Sequence, residues 1–193
     1  MVLVDLLPLG CVEEEVLTAL EGCIGQTFGL QARRLTPLPA PGFAYDPGRR
    51  QFGSTEILRQ VFQRLSADDA LVLAVSHVDL FIPMLTFVFG QAQLDGRAAL
   101  ISLARLRQEF YGLPPNPSLL LKRAAKAALH ELGHSLGLVH CLDPACVISV
   151  STHIRQVDTK KQEFCLGCAS MLAVKLSNLR ARTQIVGLRE EQE

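Results

Sequence analysis

The chain opens on an apolar run, MVLVDLLPLGC, interrupted at Asp5, which predicts a first β-strand. The period then changes. In VEEEVLTALEGCIG the positions Val16, Leu20, Cys23 and Ile24 share one helical stripe, and Glu13 to Glu15 occupy the first turn, where the helix dipole favours acids. LQARRL supplies a second strand, and the prolines of TPLPAPGFAYDPG predict a surface loop. STEILRQVFQRL predicts a helix that opens at Ser54 and turns Ile57, Val61, Phe62 and Leu65 inward. ALVLAVSH is apolar almost throughout, as in a central strand covered on both faces, and its last residue, His77, is expected as a hydrogen-bonded strand-end histidine.

Strand, helix, strand, helix, strand implies a largely parallel α/β layer. TFVFGQAQLDGRAALISLARL adds two strands joined at Asp95-Gly96, a dipeptide suited to the positive φ angles of a tight hairpin, and one of the two can lie at the sheet edge. YGLPPNP forces a loop. Asn116 then caps a helix, from about 117 to 137, with proline at its first position. Near the end of the chain, ASMLAVKLSNLRAR sets Leu172, Leu176 and Leu179 at helical spacing as a closing helix, and LREEQE is expected to fray. The fold class is therefore α/β: a mixed twisted sheet with packed helices. We expect a single domain over 1–193, with an N-terminal α/β subdomain (1–138) and a small C-terminal subdomain (139–193).

At 193 residues and 49% apolar composition the chain can bury a core without cross-links. Lys and Arg number 19, as do Asp and Glu, so no net field draws it to nucleic acid or an anionic membrane. No apolar stretch reaches the ~20 residues of a membrane span. The N-terminal run lacks a basic segment before it, and a cytoplasmic location is the expectation.

Candidate chemistry concentrates in HELGHSLGLVHC. Winding the 117–137 helix at about 100° per residue gathers Leu121, Ala125, Ala128, Leu129, Leu132 and Leu136 on one face and leaves His130 and His134 on the other. Four residues apart, their imidazoles project in nearly the same direction and can reach one zinc ion at about 2.0–2.1 Å. Glu131 is turned roughly 60° to 100° from them, which suits a proton acceptor beside the metal better than a ligand. Gly137 can take the left-handed conformation that ends the helix, so that the chain turns and His140 delivers a third imidazole. Three neutral nitrogens leave a tetrahedral position open, the mark of a catalytic zinc. Surface histidines on an amphipathic helix would leave Glu131 and Gly137 unexplained.

The cysteines form a second pattern: Cys141-x4-Cys146, then Cys165-x2-Cys168. Paired thiolates separated by a loop match a closed four-sulfur zinc site of structural role; two disulfides, or a redox pair at Cys165 and Cys168, are the competing readings. Cys11 and Cys23 are assigned to packing. Tyr111 could approach an oxyanion but suits packing better, His153 reads as a solvated loop residue, and Asp143 before Pro144 as a turn.

The string from His130 to Cys168 resembles the archaemetzincin signature, H-E-x-x-H-x-x-G-x-x-H-C-x4-C-x-M followed by about seventeen residues and C-x-x-C, a branch of the metzincin zinc peptidases. This chain departs at Ile148, where the family carries methionine, and by one residue in the spacing that follows. The family's methionine turn forms an apolar floor under the metal; Ile148 is close in size but stiffer. The resemblance implies a metzincin-like catalytic domain with a zincin-type helix. It also implies a zinc metallopeptidase with two zinc ions, one on His130, His134 and His140 and one on the four cysteines. In such an enzyme Glu131 takes a proton from water polarised by the ion and passes it to the leaving amine. The substrate, a peptide or protein, lies extended along an edge strand within Thr86 to Gln93. A monomer is expected. The rival readings are a zinc-stabilised peptide- or protein-binding module of weak or no activity, and a nucleic-acid-binding cysteine module. The second requires a basic patch, whereas Arg155, Lys160 and Lys161 are balanced by Asp143, Asp158 and Glu163.

Overall fold

A computed structural model describes residues 2–63 and 71–190, the last nine by their backbone alone. The first strand, β1 (Leu3–Leu9), is followed by α1 (Glu14–Phe28), whose stripe of Val16, Leu20, Cys23 and Ile24 is buried as its period requires. Next come β2 (Gln31–Arg34), two short strands β3 (Tyr45–Asp46) and β4 (Gln51–Gly53), and α2 (Ser54–Gln63). The middle of the chain holds β5 (Leu71–Ser76), β6 (Leu80–Phe81), β7 (Gly90–Ala92) and β8 (Ala98–Ser102). Three helices complete the order: α3 (Pro117–Ser135), α4 (Ile154–Thr159) and α5 (Leu166–Glu190).

The main sheet runs β2-β1-β5-β8-β7. Its first four strands are parallel and β7 pairs antiparallel with β8 at the edge. Both faces of β5 are covered, which is why its sequence lacks polar alternation. Leu71, Leu73 and Val75 pack with α1, α3 and α5, while Val72 and Ala74 meet Ile57, Leu58 and Val61 of α2. The first of these clusters also takes in Val147, Ile148, Leu172 and Leu176, so the segment after α3 is packed onto the same core as the sheet.

Several expectations need correction. Phe62 is 46% exposed and borders a groove with Leu71 and Leu94, because the stripe facing the sheet ends at Val61; Leu65 lies outside the described residues. The proline-rich loop contains a 3₁₀ turn (Gly42–Ala44) and β3, which joins β4 and β6 in a small second sheet; strands this short carry no readable alternation. At the β7–β8 turn only Asp95 has positive φ, and the turn is longer than two residues: Gln93 N–H donates to Ala98 O at 2.9 Å. Of the terminal segment LREEQE, expected to fray, Leu188 to Glu190 continue α5, and residues 191–193 lie outside the described residues.

Candidate metal centre and cleft

Local chemistry sets both ends of α3. The Asn116 side chain accepts from Leu119 N–H at 3.0 Å, with Pro117 at the first helical position. At the other end Gly137 takes φ 84°, Gly137 N–H donates to His134 O at 2.8 Å, and Leu138 N–H donates to Gly133 O at 2.9 Å. This paired closure stops the helix and reverses the chain. The positive φ is what calls for glycine there; a Cβ would also meet Lys175 Nζ at 2.6 Å and Asp95 Oδ1 at 2.7 Å, but these exposed side-chain ends can swing away. The reversal carries His140 back to the helix face that holds His130 and His134.

The three rings converge by their Nε2 atoms: His134 Nε2 is 3.1 Å from that of His130 and 3.2 Å from that of His140. Ligands about 2.0–2.1 Å from a shared tetrahedral ion stand roughly 3.3 Å apart, so the donor set fits zinc. The outward nitrogens explain the orientation. His130 Nδ1–H donates to Val147 O at 2.9 Å and His134 Nδ1–H to Leu138 O at 2.8 Å, which leaves the lone pairs of both rings on Nε2. Burial pushes His130 down to about 3 and lowers His134 and His140 as well, so the rings are neutral at neutral pH. Two Nε2 lone pairs facing one another, with a third imidazole nitrogen beside them, are drawn together by a shared cation.

Glu131 borders the same cleft, which encloses about 530 Å³. It is 6% exposed, and burial raises its carboxyl to about 8 against the opposing pull of Lys160. Edge strand β7 crosses close above it: a Cβ on Gly90 would stand 2.7 Å from Glu131 Cγ and Oε1 and 2.6 Å from Leu100 O. The remaining wall is largely apolar, with Phe87, Phe89, Val139 and Val150, and includes Lys126, Lys160 and Ser151.

Cys141, Cys146, Cys165 and Cys168 form a second group, their sulfurs within 4.8 Å of one another. All six cysteines of the chain are free, and Cys141 Sγ lies 3.8 Å from Cys165 Sγ, far beyond a disulfide bond. The disulfide reading therefore falls. Backbone N–H groups of Asp143 and Cys165 donate to the sulfurs of Cys141 and Cys146 at 3.4 and 3.2 Å, the bonding that favours thiolates. Hydrogen bonds, first from the Cys168 backbone, bring Cys165 down to about 7, while burial raises Cys146 and Cys168.

The other singled-out residues have local duties. His77 sits just past β5, with Nε2 3.1 Å from a Glu13 carboxylate oxygen. Tyr111 O–H donates to Arg105 O at 2.9 Å. Asp143 Oδ1 accepts from Ala145 N–H at 2.9 Å in its turn, and His153 precedes α4. Ile148 is fully buried against Gly133, beneath the helix turn that carries His130 and His134. Sequence reasoning missed Gly90, Lys126 and Lys160. The only signal for Gly90 is a glycine inside a strand, a mark of close approach by another group. TKKQ gives none for Lys160.

An α/β domain that gathers three imidazoles at the exit of a buried helix, over an apolar cleft, has the architecture of a metal-dependent hydrolase. Residues 56–174 match the model of Peptidase family M54. The archaemetzincin of Methanocaldococcus jannaschii is 46% identical over 165 residues, covering 86% of this chain and 89% of the relative. That of Pyrococcus furiosus is 37% identical over 194 residues, covering 94% and 98%. The crystal structure of the Methanopyrus kandleri archaemetzincin superposes with a TM-score of 0.79 at 32% identity, over 91% of this chain and 95% of that one. The chain belongs to the archaemetzincins, peptidase family M54, and is a zinc metallopeptidase.

Proposed function

We propose that His130, His134 and His140 hold the catalytic zinc, that Glu131 is the base of peptide-bond hydrolysis, and that the four clustered cysteines hold a second, structural zinc. The observation that carries this reading is the convergence of three Nε2 atoms, two with Nδ1–H engaged by backbone carbonyls. A zinc ion bound there supplies Lewis acidity toward water and toward the peptide carbonyl. Glu131, turned away from the ligand set but bordering the cleft, accepts a proton at its carboxylate and returns it to the leaving amine. Its apolar surroundings support that role, because a carboxylate poorly solvated by water is a stronger base.

Strand β7 ends the sheet, and among the described residues no strand pairs with its outer side. An extended peptide there gains backbone hydrogen bonds as an added strand. Residues Thr86 to Ala92 line the cleft, which supports a peptide or protein substrate lying within the segment Thr86 to Gln93. On this reading the chain acts as a monomeric single domain, with residues 1–138 supplying the helix and 139–193 the closing zinc subdomain. Free thiols throughout suit a reducing compartment, in support of a cytoplasmic location.

Glu131→Gln tests the assignment. Zinc content should be unchanged while cleavage of a broad peptide library falls by roughly 10²–10⁴-fold. Equal cleavage by wild type and variant contradicts Glu131 as base.

A further inference from the structure

Lys160 follows α4 directly, yet its side chain folds back into the protein and the residue is only 4% exposed. Lysines are almost never so buried without a partner of opposite charge; Glu131 acts on this one electrostatically, but among the described residues no carboxylate stands within 4 Å to form an ion pair with it. Instead Nζ donates to two backbone carbonyls, Val147 O at 3.0 Å and Ser149 O at 2.8 Å. These carbonyls bracket Ile148. The first of them is also the oxygen that accepts from His130 Nδ1–H. One ammonium thus grips both shoulders of the turn under the histidines, and one of those grips is on the atom that orients a ring.

Apart from the His130 bond, the turn's other ties are uncharged, and none of them goes to the Val147 or Ser149 carbonyl: Ser149 N–H donates to Cys146 O at 3.0 Å. Cys141 N–H reaches Ile148 O at 3.3 Å, Ser149 Oγ reaches Pro144 O at 3.3 Å, and Val147 N–H donates to Glu163 O at 2.9 Å. Removing the charged donor leaves two carbonyls in a buried place without their strongest partner, and the turn then relaxes about Ile148. Desolvating an ammonium costs stability. A lysine kept here at that cost is explained by what it orders.

We propose that Lys160 is a positioning residue for the histidine metal centre: by clamping the Val147 and Ser149 carbonyls it fixes the Val147–His130 hydrogen bond and so the direction of the His130 Nε2 lone pair. The inference rests on the reading of His130, His134 and His140 as zinc ligands. Partners that orient a ligand's second nitrogen set metal affinity by roughly 10–100-fold.

The test compares wild type, Lys160→Met, which keeps length and loses the donors, and Lys160→Arg, which restores them. Zinc affinity of the histidine site is measured by competition with a chromogenic chelator, on protein whose cysteine site remains loaded. The His130 Nδ1–H imino proton is followed by NMR, and thermal unfolding of the protein freed of histidine-bound zinc is followed in parallel. The expected result for Lys160→Met is about tenfold weaker zinc binding and a His130 imino proton that exchanges faster with water, with unfolding of the zinc-freed protein unchanged or shifted upward. Lys160→Arg regains part of both signals. A lysine with only a structural duty gives the opposite pattern: lower unfolding temperature, with zinc affinity and the imino proton as in wild type. That result overturns the proposal, as does Lys160→Arg binding no better than a folded Lys160→Met. Wild type whose histidines take no zinc overturns the functional reading and this one together; wild type and Lys160→Met loading equally overturn this one alone.

Discussion

The Cδ1 methyl of Ile148 fills the space a side chain at Gly133 would need: a Cβ on that glycine would stand 2.7 Å from it, and 3.2 and 3.3 Å from the Phe164 ring. The helix and the turn beneath the metal centre are therefore in contact with no spare volume. In an exposed helix interior Gly→Ala gains about 1 kcal/mol. Here Gly133→Ala should instead lose about 1–3 kcal/mol of unfolding free energy by overpacking. Adding Ile148→Val, which removes the clashing methyl, should make the double variant more stable than Gly133→Ala alone. Denaturant unfolding of the three proteins reads this coupling, and simple additivity contradicts it.

Ile148→Met restores the residue the family signature carries. The swap conserves volume, so the stability change should stay below about 1.5 kcal/mol, with zinc still bound. A loss of several kcal/mol, read by thermal or denaturant unfolding, means the turn is shaped around a branched side chain rather than around a volume.

The chemistry-bearing residues were legible in the sequence because their relations are local. His130 and His134 share a helix face by spacing alone, Gly137 marks the reversal that returns His140, and Asn116 with Pro117 announces the helix start. What escaped depends on distant segments meeting. Lys160 reads as one surface charge among several until α4 is packed against α3, and Gly90 gains meaning only once β7 crosses Glu131. Likewise β3, β4 and β6 are too short for alternation to show, and Phe62 continues a helical stripe in sequence but passes the end of the sheet it would cover.

Gly90→Ala should act on the base without touching the metal ligands. Its Cβ displaces Glu131 or the β7–β8 pairing, so peptide cleavage should fall at least tenfold while zinc per chain is unchanged, as measured by metal analysis beside a kinetic assay. Unaltered turnover removes the packing argument for Glu131.

A pH signature follows from the same carboxyl. Burial raises Glu131 from 4.5 to about 8, so between those values the folded protein freed of histidine-bound zinc holds a proton that the unfolded chain has released. That contribution to stability is complete below pH 4.5 and is lost as pH rises through 8. Glu131→Gln abolishes it. Without that zinc the variant should match wild type near pH 4.5 and exceed it by on the order of 5 kcal/mol at pH 9, by denaturant unfolding. His130, lowered by burial, acts in the other direction below pH 6.5, identically in both proteins.

Thiol labelling separates the cysteines. With zinc bound, exposed Cys11 should alkylate quickly, while buried Cys23, pushed up to about 12 by burial, stays inert. Chelation should then release Cys141, Cys146, Cys165 and Cys168 together, seen as four added labels by mass spectrometry. Labelling of those four without chelation contradicts a metal on them.

X-ray absorption at the zinc edge of the purified protein, with zinc counted per chain, reads the two donor sets at once. The account predicts two ions per chain, with a shell of imidazole nitrogens at about 2.0–2.1 Å and a shell of sulfurs at about 2.3 Å. A single ion surrounded by sulfur alone contradicts it.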